Sequence, residues 1–133
     1  MKEYLFAYGT LVDHHVPREI ADTVKQLKPA GTGYIFACLY DLGEYPGAVL
    51  DESRRHKVFG RIFELPADPR VLERLDDYEA FDPKQPAASL FVRKRTEINR
   101  SNQPPLKGWI YEYNGDLKSS SLIKSGYYSK VSA

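Results

Sequence analysis

The sequence predicts an α+β fold, a mixed sheet of about six strands curled into a small β-barrel with two main helices. Three observations point there. Strand-like segments outnumber helical ones, the connections are mostly short, and the order is not the repeating β-α-β alternation of a doubly wound parallel sheet. No repeat, low-complexity tract or linker divides the 133 residues, so one domain spanning 1–133 is expected.

The elements follow in order. YLFAY, residues 4 to 8, is apolar on both faces, which predicts a strand buried on both sides and ending at Gly9. After GTLVDHHV, Pro17 can open a helix on which Ile20, Val24 and Leu27 recur at helical spacing, and Pro29, Gly31 and Gly33 are expected to end it. YIFACLYDL, AVLD after the turn-rich GEYPG, and HKVFGRIFEL predict three successive strands, each rich in aromatic and β-branched residues. A second helix is expected over 69–79, with Asp68 as N-cap and Pro69 in its first turn. The proline-bearing loop FDPKQPAA leads to the strand LFVRKRTEI, and NRSNQPP to the strand LKGWIYEY. The tail SLIKSGYYSKVSA reads as an irregular segment packed by its tyrosines.

Composition narrows the partners. Nineteen basic and 18 acidic residues nearly cancel, so no global field favours nucleic acid or an anionic membrane, and a small molecule is the expected partner. The basic runs RRHK at 54–57 and RKR at 93–95 read as solvated turn and strand charges, without the interleaved aromatics that stack bases. The single cysteine, Cys38, sits mid-strand among apolar residues as an inert filler and suits a reducing compartment. With no signal-like or membrane-length apolar stretch, a cytoplasmic protein is expected. His14 and His15 point apart on any regular element, and no ligand-spaced cysteine or carboxylate completes a site with them, so no metal is expected.

Three places carry candidate chemistry. In LDDYEAF, Glu79 falls on the helix face that bears Leu72 and Leu75, whereas Asp76 and Asp77 are expected to face solvent. Two readings of Glu79 stand on spacing alone: the helix frays at Tyr78 and Glu79 turns outward, or the carboxyl is held in a pocket with a raised pKa, fit to accept a proton near neutrality. In AYGTL, Gly9 lets a ligand approach main-chain N–H groups, which with the Thr10 hydroxyl could hold a carboxylate; an ordinary strand-ending turn is the other reading. In LGEYPGAV, Tyr45 and Pro46 form a stiff turn that could wall a pocket or simply join two strands.

The ordered set YGTL, LYDLGEYPGAV, VFGRIFEL, LDDYEAF, LFVRKRTEI, WIYEY and SGYY resembles the γ-glutamylcyclotransferase-like family, in its γ-glutamylamine cyclotransferase and AIG2-like branch, over nearly the whole chain. The resemblance implies a small β-barrel with a pocket at one end. It implies an anion-binding loop at Tyr8, Gly9, Thr10 and Leu11, and a catalytic carboxylate at Glu79. It also implies pocket walls at Tyr45 and Tyr113, with the tail residues Tyr127 and Tyr128 nearby, and loops 81–89 and 99–105 against the leaving amine. The implied reaction cyclises a γ-glutamyl group to 5-oxoproline and frees the attached amine, needing no metal or cofactor. A non-catalytic small-acid-binding module of the same fold, or removal of an acyl group from another γ-glutamyl-type amide, are the alternatives. The chain departs from the family pattern at VDHHVPREI and at SGYY, where SGDW is usual, which bears on substrate identity more than on reaction type.

Overall fold

The computed structural model describes residues 2–9 and 18–128. In chain order the elements are β1 (Glu3–Ala7), α1 (Arg18–Val24), β2 (Lys28–Asp41), β3 (Pro46–Leu50), β4 (Lys57–Leu65), α2 (Pro69–Tyr78), β5 (Phe91–Arg100), β6 (Gln103–Tyr113) and β7 (Ser121–Leu122). Pairings β1–β4, β4–β2, β2–β3, β3–β6 and β6–β1 form a closed ring of five strands, with β5 joined to β6 and β2, and β7 to β2. This is the expected small mixed barrel, with seven strands in place of about six. The added strand is Ser121–Leu122, which the sequence placed in an irregular tail; two residues are too few to show a period.

Two apolar layers flank the barrel wall. Phe6, Ile35, Ala37, Leu39, Val58, Ile62, Ile98 and Ile110 fill its interior, while Leu5, Phe63, Leu65 and Tyr111 pack outward with Ile20 of α1 and Val71 and Leu75 of α2. Strand β1 therefore gives alternate residues to both layers, as its unbroken apolar sequence predicts. Among the described residues, no helix is long and apolar enough to cross a membrane.

Three expectations are corrected. Pro29, Gly31 and Gly33 do not end α1, which stops at Val24, but lie within β2, whose 14 residues carry a register shift between Pro29 and Thr32 and a positive φ of 104° at Gly31. The turn formers serve the curvature that closes the barrel. At Gly33 a Cβ would stand 2.4 Å from the Asn99 carbonyl oxygen, so the crossing of β2 and β5 requires glycine. Residues 99–105 are not an open loop: β5 and β6 pair down to Arg100–Gln103, and the turn is made by Ser101 and Asn102, the latter at φ 57°. Asp76, finally, does not face solvent and is only 4% exposed, because a counter-charge from β5 meets it.

Candidate active site

A cavity of about 360 Å3 opens where the end of β1, the β2–β3 turn and the end of α2 converge. The first wall is Ala7, Tyr8 and Gly9. Tyr8 turns its ring into the barrel, where its hydroxyl donates to the Tyr111 carbonyl at 2.6 Å and accepts from the Ala48 N–H at 3.1 Å. Strands β3 and β6 share a single register pair, Ala48 with Glu112, so the hydroxyl bridges a seam with little pairing of its own. Burial, with smaller contributions from the charges of Glu79 and Glu112, pushes the Tyr8 phenol far above its ordinary value. It is a fixed neutral strut.

The second wall is the β2–β3 turn, closed by the Leu42 N–H donating to the Tyr45 carbonyl at 3.1 Å and the Gly43 N–H to the Asp41 carboxylate at 2.8 Å. It presents Glu44, Tyr45 and Pro46 to the cavity. The Tyr45 ring lies 5.9 Å from Phe91, and Phe91 meets Tyr113 edge-on at 5.4 Å. Phe91 thus stands in the wall with Tyr113 packed on it, and Tyr113 itself does not line the cavity.

The third wall is the end of α2. Asp68 caps its N-terminus by accepting from the Arg70 N–H at 3.0 Å, and Pro69 occupies the first turn, as the sequence predicts. At the other end the Phe81 N–H donates to the Asp76 carbonyl at 2.9 Å and the Ala80 N–H to the Asp77 carbonyl at 3.2 Å. With Ala80 at φ 55°, this is a Schellman ending whose left-handed position holds alanine instead of glycine. Glu79 is the C-cap, its own N–H still bonded to the Leu75 carbonyl at 3.0 Å. The helix neither frays at Tyr78 nor releases Glu79 to open water, and the side chain faces the cavity.

Burial alone pushes the Glu79 carboxyl from 4.5 up to about 7. Its charge in turn contributes to raising the phenols of Tyr8, Tyr45 and Tyr111, each of which burial raises first. One helical turn earlier, Asp76 accepts from Arg93 Nε at 2.8 Å, Arg93 Nη2 at 3.2 Å and the Tyr111 hydroxyl at 2.7 Å. This network ties α2 to β5 and β6 directly behind the cavity. Arg93 also lies 4.3 Å from the Trp109 ring centre, so it is not the solvated strand charge expected of RKR.

Of the residues singled out in sequence, Tyr8, Gly9, Tyr45 and Glu79 meet at one cavity. Thr10 and Leu11 lie outside the described residues, as do His14 and His15. Tyr127 stacks on Phe59 at 4.4 Å and Tyr128 packs against the barrel-interior layer, and neither lines the cavity. Glu44, Tyr78, Leu90, Phe91 and Tyr111 are cavity residues that the sequence reading missed. Only Glu44 carried a signal, its place beside Tyr45 in the turn.

A family model described as gamma-glutamyl cyclotransferase, AIG2-like, matches residues 5–130. No match to a curated protein was found at the level of sequence. Among solved structures, an AIG2-like protein of Mus musculus superposes with a TM-score of 0.70 at 19% identity, over 96% of this chain and 88% of that one. The ytfP protein of Escherichia coli gives 0.65 at 23% identity, over 94% and 95%. YkqA of Bacillus subtilis gives 0.70 at 19% identity over 96% of this chain, which spans only 40% of that protein's length. At these identities the superpositions establish a shared fold.

Proposed function

The chain belongs to the gamma-glutamyl cyclotransferase, AIG2-like family, and on that premise we propose that it cyclises the γ-glutamyl group of a small γ-glutamyl amine or peptide to 5-oxoproline, releasing the amine, with Glu79 as general acid and base. The observation that supports this reading most is that Glu79, its carboxyl pushed up to about 7, lines the same cavity as Gly9.

The chemistry needs two protons taken from the α-nitrogen, which passes from –NH3+ to the single N–H of the lactam, and one given to the departing amine. The substrate's α-ammonium must lose a proton before its nitrogen can attack the γ-carbonyl. A base at about 7 lies ~2.5 units closer to the α-ammonium than a carboxylate at its ordinary 4.5, which lowers the cost of this transfer by ~3.4 kcal/mol. At neutral pH about half of the Glu79 carboxyls are then in the basic form.

The freed amine closes a five-membered lactam ring onto the γ-carbonyl carbon within one molecule. The enzyme has only to hold the folded conformer, and well-oriented intramolecular attack carries effective molarities of ~10⁵ M or more. The apolar wall of Ala7, Pro46, Leu90 and Phe91 limits water, which would otherwise compete as nucleophile. When the tetrahedral intermediate collapses, the C–N bond to the leaving amine breaks and protonated Glu79 gives its proton to that nitrogen; Glu79, ionised again, takes the second proton from the ring nitrogen and passes it to the freed amine or to water. Tyr8 is not assigned to proton transfer, since both sides of its hydroxyl are engaged with backbone. In this reading the chain from Gly9 through Thr10 and Leu11 anchors the α-carboxylate, while Tyr45, with Tyr113 packed behind Phe91, shapes the wall.

The test is 5-oxoproline release by purified protein over a panel of γ-glutamyl amines and peptides. Wild type should turn over at least one, and Glu79→Gln should bind it without turnover. Equal turnover by both proteins would remove Glu79 from the mechanism. A silent wild type that still binds the compounds would favour the small-acid-binding module.

A further inference from the structure

A second cluster of reactive side chains lies away from the cavity, where the β3–β4 connection meets β2. Along β2, Ile35, Ala37 and Leu39 are 0–1% exposed and point into the barrel, so Cys38 between them is on the outer face, partly exposed. The connection from Asp51 to His56 is pinned to the same stretch at both ends. The Asp51 N–H donates to the Phe36 carbonyl and the Ala37 N–H to the His56 carbonyl, each at 3.0 Å. Cys38, Asp51 and His56 thereby bring a thiol, a carboxylate and an imidazole to one spot, with donor atoms all within 4.8 Å of one another.

From this juxtaposition we propose that Cys38, Asp51 and His56 bind a single divalent transition-metal ion of the zinc class, leaving one position for water or an outside ligand. Three protein donors and one open position is the pattern of an exchangeable tetrahedral zinc site. Metal–donor lengths of ~2.0–2.3 Å at tetrahedral angles put neighbouring donors ~3.3–3.7 Å apart. The cluster therefore needs to contract by about 1 Å, a rotation that the His56 side chain, 44% exposed, can make. A thiolate and a carboxylate neutralise the two charges of the ion. His56 Nδ1 already stands 3.2 Å from Asp51 Oδ2, at ligand–ligand spacing, while Arg54 lies over the Phe36 ring at 5.4 Å and Lys57 over Tyr34 at 4.5 Å. Asp51 already accepts from the N–H groups of Ser53, Arg55 and His56, so its position is fixed before any ion arrives. The sulfur and nitrogen donors select against magnesium and calcium. None of the three residues lines the catalytic cavity, and the inference stands apart from the reading of that site.

The experiment uses the full chain and two probes, Co2+ followed spectroscopically and Zn2+ in competition with it. The expected result is saturable 1:1 Co2+ binding with a thiolate-to-cobalt charge-transfer band, displaced by Zn2+ and indifferent to excess Mg2+. Cys38→Ser should abolish the band, and His56→Gln should weaken Zn2+ binding by about 100-fold or more. Both positions are partly exposed, and thermal melts without metal verify that the variants fold. No saturable 1:1 binding, or wild-type Zn2+ affinity in both variants, would overturn the proposal; the second outcome would move the ion elsewhere on the chain.

Discussion

Asp76 holds Arg93 through two nearly parallel hydrogen bonds, at 2.8 and 3.2 Å, one helical turn before Glu79. The side chains are 6% and 17% exposed, so the pair is buried and either charge left alone would be stranded. Asp76→Ala is expected to cost about 3–5 kcal/mol in urea denaturation. The double change Asp76→Leu with Arg93→Met should cost clearly less than the sum of the single changes, because it strands no charge. Additive losses would mean that the pair is not coupled.

Glu79 ties stability to pH. Its folded carboxyl is raised from 4.5 to about 7, so the folded state binds this proton more tightly than the unfolded chain does. The contribution is fully present below about 4.5 and is lost as pH rises to about 7, at most ~3 kcal/mol before solvent screening. Glu79→Gln should therefore be more stable than wild type at pH 8 and nearly equal to it at pH 4.5, while failing to release 5-oxoproline. Denaturation curves at the two pH values measure this, and a variant less stable than wild type at pH 8 would contradict it.

Activity should follow the same ionisation. In the proposed mechanism kcat/KM rises with pH along a limb near 7 as Glu79 becomes the base. A limb near 4.5 would show that the carboxyl is solvated when substrate arrives.

Ala80 occupies a left-handed position that costs an alanine roughly 1 kcal/mol. Ala80→Gly removes that strain and loses part of the gain to the greater freedom of glycine in the unfolded chain. The expected net gain is about 0.5 kcal/mol in the denaturation midpoint, and Ala80→Val should destabilise. A glycine variant weaker than wild type would show that the alanine methyl contributes more through contact than it costs in strain.

The Tyr8 hydroxyl bridges the β3–β6 seam, beside the bond from the Leu50 N–H to the Glu112 carboxylate at 2.8 Å. Tyr8→Phe leaves the Ala48 N–H and the Tyr111 carbonyl without this partner, for a loss of about 1–3 kcal/mol. Hydrogen exchange at the Ala48 amide should speed up more than the global loss accounts for. Unchanged protection there would mean that the seam holds without the hydroxyl.

Much of this was legible in the sequence where the signal is local. Asp68 and Pro69 announced the start of α2, and the doubly apolar YLFAY announced a strand between two layers. Glu79 was read as either a frayed end or a pocket residue, and it is a C-cap that also walls the cavity, two roles that helical spacing cannot separate. Asp76 was misread because its partner Arg93 lies 17 residues away on another element, and no short pattern couples them. Pro29, Gly31 and Gly33 were misread because a strand that must curl uses the same residues as a turn. The far walls of the cavity come from Leu90, Phe91 and Tyr111, which look in sequence like ordinary strand residues.

The ring of five strands closes through β6, which follows β1 to β5 in the chain and pairs with both β1 and β3. During synthesis, then, β1 to β5 leave the ribosome before the barrel can close. Until that moment β1 and β3 present unpaired edges. The cavity, walled by the end of β1 on one side and Tyr111 on the other, assembles only once β6 has emerged, and a chain cut before β6 would present an adhesive open sheet in place of the site.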